Sequence, residues 1–172
     1  MALNWAMCSR LYPSTRSIAM IIESSITLDG SVKEVWEKLL DPTCLRNCIP
    51  GCESVSVRSN GEFEGTVKVK IGPIKVRFEV VLTIVEKQPP VLLVSKVLGR
   101  DRFQKGRFTQ VNQLALEELH PNRTRLTYTS DLTISGKIAT FGERVFRSKA
   151  KEMEENFLAS LSDILKHGGR KP

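Results

Sequence analysis

The sequence predicts an α+β fold in which a curved antiparallel sheet wraps one long C-terminal helix. Three observations carry that expectation. Apolar and polar residues alternate with a period of two through the middle of the chain, and apolar residues recur near helical spacing from Lys137 to Lys166. The strand-helix-strand alternation that builds a parallel sheet is absent. A sheet with one apolar face and a single amphipathic helix bury both surfaces when the sheet closes around the helix.

The first strand is legible from Ile21: Ile22, Ser24, Ile26 and Leu28 alternate with Glu23, Ser25 and Thr27. Residues 1–20 carry Arg10 and Arg16, no acid and no apolar run of signal-peptide length. They are expected to be a flexible extension, or the product of a start site upstream of Met20, leaving a single domain over 21–167 and a short basic tail over 168–172. Ser31 and Glu34 then form a capping box, and Val32, Val35, Trp36, Leu39 and Leu40 fall on one helical face before Asp41-Pro42 ends it. Thr43 to Cys48 is read as a second short helix, stopped by Ile49-Pro50-Gly51.

Phe63, Gly65, Val67, Val69 and Ile71 alternate with acids, threonine and lysines, and after Gly72-Pro73 the pattern resumes as Ile74, Val76, Phe78, Val80, Leu82 and Ile84. A hairpin with a two-residue loop pairs Ile71 with Ile74, Val69 with Val76 and Val67 with Phe78, which puts both apolar sets on one face. Further strands are expected over Val91 to Leu98, Phe103 to Glu118 and Arg123 to Ser135. The last element is expected to be one long helix from Lys137 to Lys166.

Composition narrows the function classes. At 172 residues, 41% hydrophobic and 26% charged, the chain is one ordinary folded domain, not a disordered or disulfide-stapled one. No window approaches the roughly 18 uninterrupted apolar residues of a membrane span. The formal charge of +7 favours an anionic partner. Cys8, Cys44, Cys48 and Cys52 form no long-range framework and fit a reducing, cytoplasmic setting. The four-residue spacing of Cys44, Cys48 and Cys52 matches neither zinc ribbons nor ferredoxin runs, so no metal and no cofactor are expected.

The sequence resembles a known family along most of its length. Asp41-Pro42 and Cys48-Ile49-Pro50-Gly51-Cys52-Glu53-Ser54-Val55, the run from Gly61 to Ile74, Thr124 to Tyr128, Ile134 to Ala139 and Gly142-Glu143-Arg144 are similar to signatures of the CoxG family, named for an accessory component of carbon monoxide dehydrogenase, within the START-like (SRPBCC) helix-grip superfamily. The resemblance implies the order β-α-α-β6-α, with a long cavity between the sheet and the last helix. It also implies a noncatalytic accessory role beside a molybdenum-containing carbon monoxide dehydrogenase or related hydroxylase, with a lipid-like or quinone-like molecule in the cavity and peripheral contact with an anionic membrane at the inner face of the cell. Recruiting members of the family continue into a C-terminal membrane-binding tail, whereas this sequence ends at Lys166-His167-Gly168-Gly169-Arg170-Lys171-Pro172; the expectation transfers to the core.

The residues point to a cavity independently. Phe78, Leu82, Phe108, Leu114, Leu126, Tyr128 and Leu132 are expected to supply apolar walls from the sheet, and Phe141, Val145, Phe146, Met153 and Phe157 from the helix. Gln110, Asn112 and Ser130 interrupt those walls with polar groups that need partners, since a buried unpaired amide or hydroxyl costs about 1–3 kcal/mol. Apolar pockets with a few convergent polar groups are the usual form of a small-molecule site. On the outer face of the hairpin Lys68 faces Arg77 and Lys70 faces Lys75, a basic stripe suited to an acidic protein surface or lipid headgroups. No base-stacking platform accompanies it, so specific nucleic-acid binding is not expected. No nucleophile triad, phosphate loop or dinucleotide fingerprint occurs, and no catalytic residues are assigned, although a cyclase-type chemistry would fall to Tyr128 or Glu143.

Overall fold

The computed structural model describes residues 16–103 and 106–168. In chain order the elements are β1 (Ser17–Asp29), α1 (Val32–Leu39), α2 (Pro42–Cys48), β2 (Cys52–Val57), β3 (Phe63–Ile71), β4 (Ile74–Gln88), β5 (Leu92–Asp101), β6 (Gly106–His120), β7 (Arg123–Gly136), a 3-10 helix (Lys137–Phe141) and α3 (Glu143–Lys166). The strands form one antiparallel sheet in the order β1-β7-β6-β5-β4-β3-β2, and α3 packs chiefly along β1. This is the helix-grip architecture, with the order β-α-α-β6-α.

Local chemistry sets the start of each early element. The Ser31 hydroxyl accepts from the Glu34 amide while the Glu34 carboxylate accepts from the Ser31 amide, a reciprocal cap on α1. Asp41 caps α2 through the Thr43 amide, and Pro42 occupies the first turn, where its missing N–H costs nothing. The β3–β4 hairpin has the register that its two-residue loop imposes: Ile71 opposite Ile74, Val69 opposite Val76 and Val67 opposite Phe78.

The structure departs from the sequence-based expectations at three places. β1 begins at Ser17, before the domain boundary expected at Ile21, because the alternation continues backwards through Ile18 and Met20; Met20 is only 3% exposed and Ser17 to Met20 pair with Leu132 to Ser135. The rest of the expected extension, residues 1–15, and the tail from 169 onward lie outside the described residues. β2 had no counterpart among the expected strands. The terminal helix is interrupted: Lys137–Phe141 is a 3-10 turn, and Gly142, at φ +86°, redirects the chain before α3 starts.

Two groups of buried side chains hold the sheet against the helices. Leu28, Leu126 and Leu161, fully buried, centre one of them beneath α1 and α2. Met20, Ile71, Val76, Phe78, Ile134, Ile138 and Phe146 form the other. Burying each such side chain stabilises the fold by about 1.5–3 kcal/mol.

Candidate functional site

A cavity of about 360 Å³ lies between the sheet and α3 and draws its wall from both buried groups. From the sheet, Phe78, Leu82, Phe108, Leu114, Leu126 and Leu132 line it; from α3, Phe146, Met153 and Phe157 do. The α3 contribution follows one helical stripe, Phe146, Ala150, Met153 and Phe157, at spacings of four, three and four. The rings of Phe78 and Phe108 meet edge to face with centroids 5.1 Å apart. Phe108 covers Gly99, its partner across β5 and β6, where a Cβ would come within 2.0 Å of the ring.

Three expected wall residues stand elsewhere. Val145 is one position off the inner stripe of α3 and borders a separate surface pocket. Phe141, in the 3-10 turn, packs into the group around Ile71 and Ile138. Both shifts follow from the break at Gly142, which resets the helical phase. Ser130 is fully buried behind the wall, where its hydroxyl accepts from Gln110.

The polar residues on the wall partner one another. Gln110 Nε2 donates to Tyr128 Oη at 2.9 Å and to Ser130 Oγ at 2.8 Å, and Tyr128 Oη donates to Asn112 Oδ1 at 3.0 Å. The β6–β7 register places them: Asn112 lies opposite Ser130, with Gln110 opposite Leu132 and Tyr128 opposite Leu114. Burial raises the Tyr128 phenol above its usual range, and the nearby Glu154 carboxylate adds to the rise. The phenol therefore stays protonated and remains a donor at neutral pH. An alkaline spectrophotometric titration is expected to find one of the two tyrosines ionising above the ordinary range. Because the unfolded chain would lose that proton first, stability from this group is complete below the ordinary tyrosine pKa and is lost as pH climbs through the raised one. A midpoint at or below the ordinary value would contradict the buried placement.

Several wall residues were not among those read from the sequence. Leu39 and Leu40 at the end of α1, Leu45 of α2 and the Ile49-Pro50 turn that follows it, and Val67, Val69 and Ile71 of β3 all border the cavity, as do Ser95, Lys149 and Glu154. The hairpin register carried a usable signal, since it puts Val67, Val69 and Ile71 on the face of Phe78. The helical residues carried none beyond amphipathic spacing.

The basic stripe is half neutralised. Lys68 faces Arg77 and Lys70 faces Lys75, but Glu53 on β2 reaches across to Lys68 Nζ at 2.9 Å and to Arg77 Nη2 at 2.6 Å. The Lys68 hydrogen bond leads in holding the Glu53 carboxyl below its usual range. This corrects the expectation of four unopposed cations. The reason is the extra strand, which brings an acid beside β3. Among the described residues Lys70 and Lys75 have no carboxylate partner within 4.0 Å.

Cys44 and Cys48, one turn apart on α2, are buried with sulfurs 3.8 Å apart. Their shared hydrogen bond lowers the Cys44 thiol and raises that of Cys48. Among the described residues no three His, Cys, Asp or Glu side chains gather as a metal site, and no helix is long and apolar enough to cross a membrane.

A curved sheet gripping a helix around a ligand-sized apolar hollow defines a START-like helix-grip protein. The chain belongs to the CoxG family, the G component of carbon monoxide dehydrogenase, whose model matches residues 25–166. Among solved structures it is similar to a conserved protein from Geobacillus kaustophilus, with 26% identity over 86% of this chain and 96% of that one and a TM-score of 0.80. It also shares its fold with a START superfamily protein from Mycobacterium smegmatis (12% identity, 86% and 97% coverage, TM-score 0.65). The Zhui aromatase/cyclase from Streptomyces sp. R1128 is likewise similar in fold (13% identity, 89% and 97% coverage, TM-score 0.66). Among curated proteins none matches.

Proposed function

We propose that this chain is a noncatalytic, cytoplasmic accessory protein of the CoxG type. It holds a lipid-like or quinone-like molecule in its cavity in support of a molybdenum-containing carbon monoxide dehydrogenase or related hydroxylase, with peripheral contact at the membrane surface. Membership of the family supports the partner. The observation that carries the ligand is the hollow itself, about 360 Å³, apolar on almost every side and marked by one polar cluster. Its volume lies within the range of roughly 300–1,000 Å³ usual for small-molecule sites.

Binding is driven by burial. A guest that loses about 300 Å² of apolar surface gains roughly 7 kcal/mol before the cost of association. The amide of Gln110, the amide of Asn112 and the Tyr128 phenol give its polar group one place to dock. The test is native mass spectrometry after mild purification, followed by titration with a quinone and a fatty alcohol. A bound species of defined mass, or binding of either probe, is expected. Protein that is consistently empty and binds neither would overturn the reading.

A further inference from the structure

We propose that the opening between β3 and α3 is a head-group site that selects amphiphilic guests carrying an anionic carboxylate or phosphate. The inference rests on the ligand-carrying role above and assigns the chemistry of the head. A second, surface cavity of about 340 Å³ sits at this opening, bordered by Lys70 of β3 and by Arg144, Ser148, Lys149 and Glu152 of α3. Lys149 borders the inner cavity as well, so a single side chain joins the two spaces.

The helix explains the arrangement. Arg144, Ser148 and Glu152 stand at four-residue intervals on one stripe of α3, while Phe146, Ala150, Met153 and Phe157 form the stripe that faces inward. Lys149 lies between them. Its side chain is 21% exposed, and its ammonium donates to both oxygens of Glu152 at 3.0 and 3.1 Å. That bond accounts for the only carboxylate bordering the pocket among the described residues. Lys70 and Arg144 have no carboxylate partner within 4.0 Å among the described residues. The site therefore holds three cations against one acid, and two of the cations are free for a guest. A neutral amphiphile would leave them unused, whereas an anionic head would meet them, with the Ser148 hydroxyl as a further donor, while its tail enters the apolar hollow past Lys149.

The experiment compares dodecanol, dodecanoate and dodecyl phosphate, which share one tail, by calorimetric titration at low salt. Two or three weak surface interactions together reach about 1.4 kcal/mol, which is a tenfold preference for the better anion over dodecanol. Which anion is tighter identifies the head. The double variant Lys70→Gln with Arg144→Gln, both exposed positions, is expected to bring the preference to within about threefold with dodecanol affinity unchanged. Equal affinities for all three probes, or a preference that survives the double variant, would overturn the head-group site alone. Failure of all three probes to bind would overturn it together with the ligand-carrying role.

Discussion

Replacing Gly51 by alanine is expected to lower the stability of the fold by about 3 kcal/mol or more, read as a reduced denaturation midpoint with an unchanged slope. Gly51 sits at φ +74°, and a Cβ there would come within 2.0 Å of the Lys68 carbonyl oxygen, a backbone atom that no side-chain rotation moves. The strained backbone alone costs about 1–2 kcal/mol. Relieving the clash pulls the start of β2 from β3 and breaks the bond from the Lys68 amide to the Gly51 carbonyl, 2.9 Å, for about another 1 kcal/mol. The damage reaches the site, because Ile49 and Pro50 border the cavity and Glu53 holds Lys68 and Arg77 from the strand that follows. A loss below about 1 kcal/mol would show that this turn is not as close-packed as described.

Ala150→Trp is expected to weaken dodecanol binding by about a hundredfold or more, a loss of about 2.7 kcal/mol, while the protein stays folded. Ala150 is the smallest residue on the inward stripe of α3, so an indole at that position occupies the hollow that a tail would fill. Overpacking costs about 1–3 kcal/mol, tolerable where there is space to enter. Lys151→Trp, one residue on and exposed, is the control and should leave affinity unchanged. Equal binding by Ala150→Trp and the parent protein would mean that the guest lies elsewhere.

Legibility followed how tightly local chemistry constrains each element. The cap of α1 and the β3–β4 register depend on a few adjacent residues, Ser31 with Glu34 and the two-residue loop, and could be read directly. β2 could not: Cys52-Glu53-Ser54-Val55-Ser56-Val57 is short, exposes residues on both faces and carries a register shift between Cys52 and Ser54, so no clean alternation marks it. Missing it concealed Glu53 and left the basic stripe looking unopposed. The apolar spacing through Ile138, Phe141 and Val145 hid the break at Gly142, since periodicity records side-chain type and not backbone direction. The sheet's share of the cavity was legible because apolar and polar residues alternate along β4, β6 and β7. The share supplied by α1 and α2 depends on where those helices come to rest, which is set by contacts distant in sequence.

The hydrogen bonds that tie Gln110 to Tyr128 and Ser130, and Tyr128 to Asn112, bear on turnover. With those donors and acceptors already matched to one another, departure of a cargo strands none of them, and the vacated protein carries little electrostatic penalty. Loading and unloading can then proceed at similar free energy, as suits a shuttle that must surrender what it picks up.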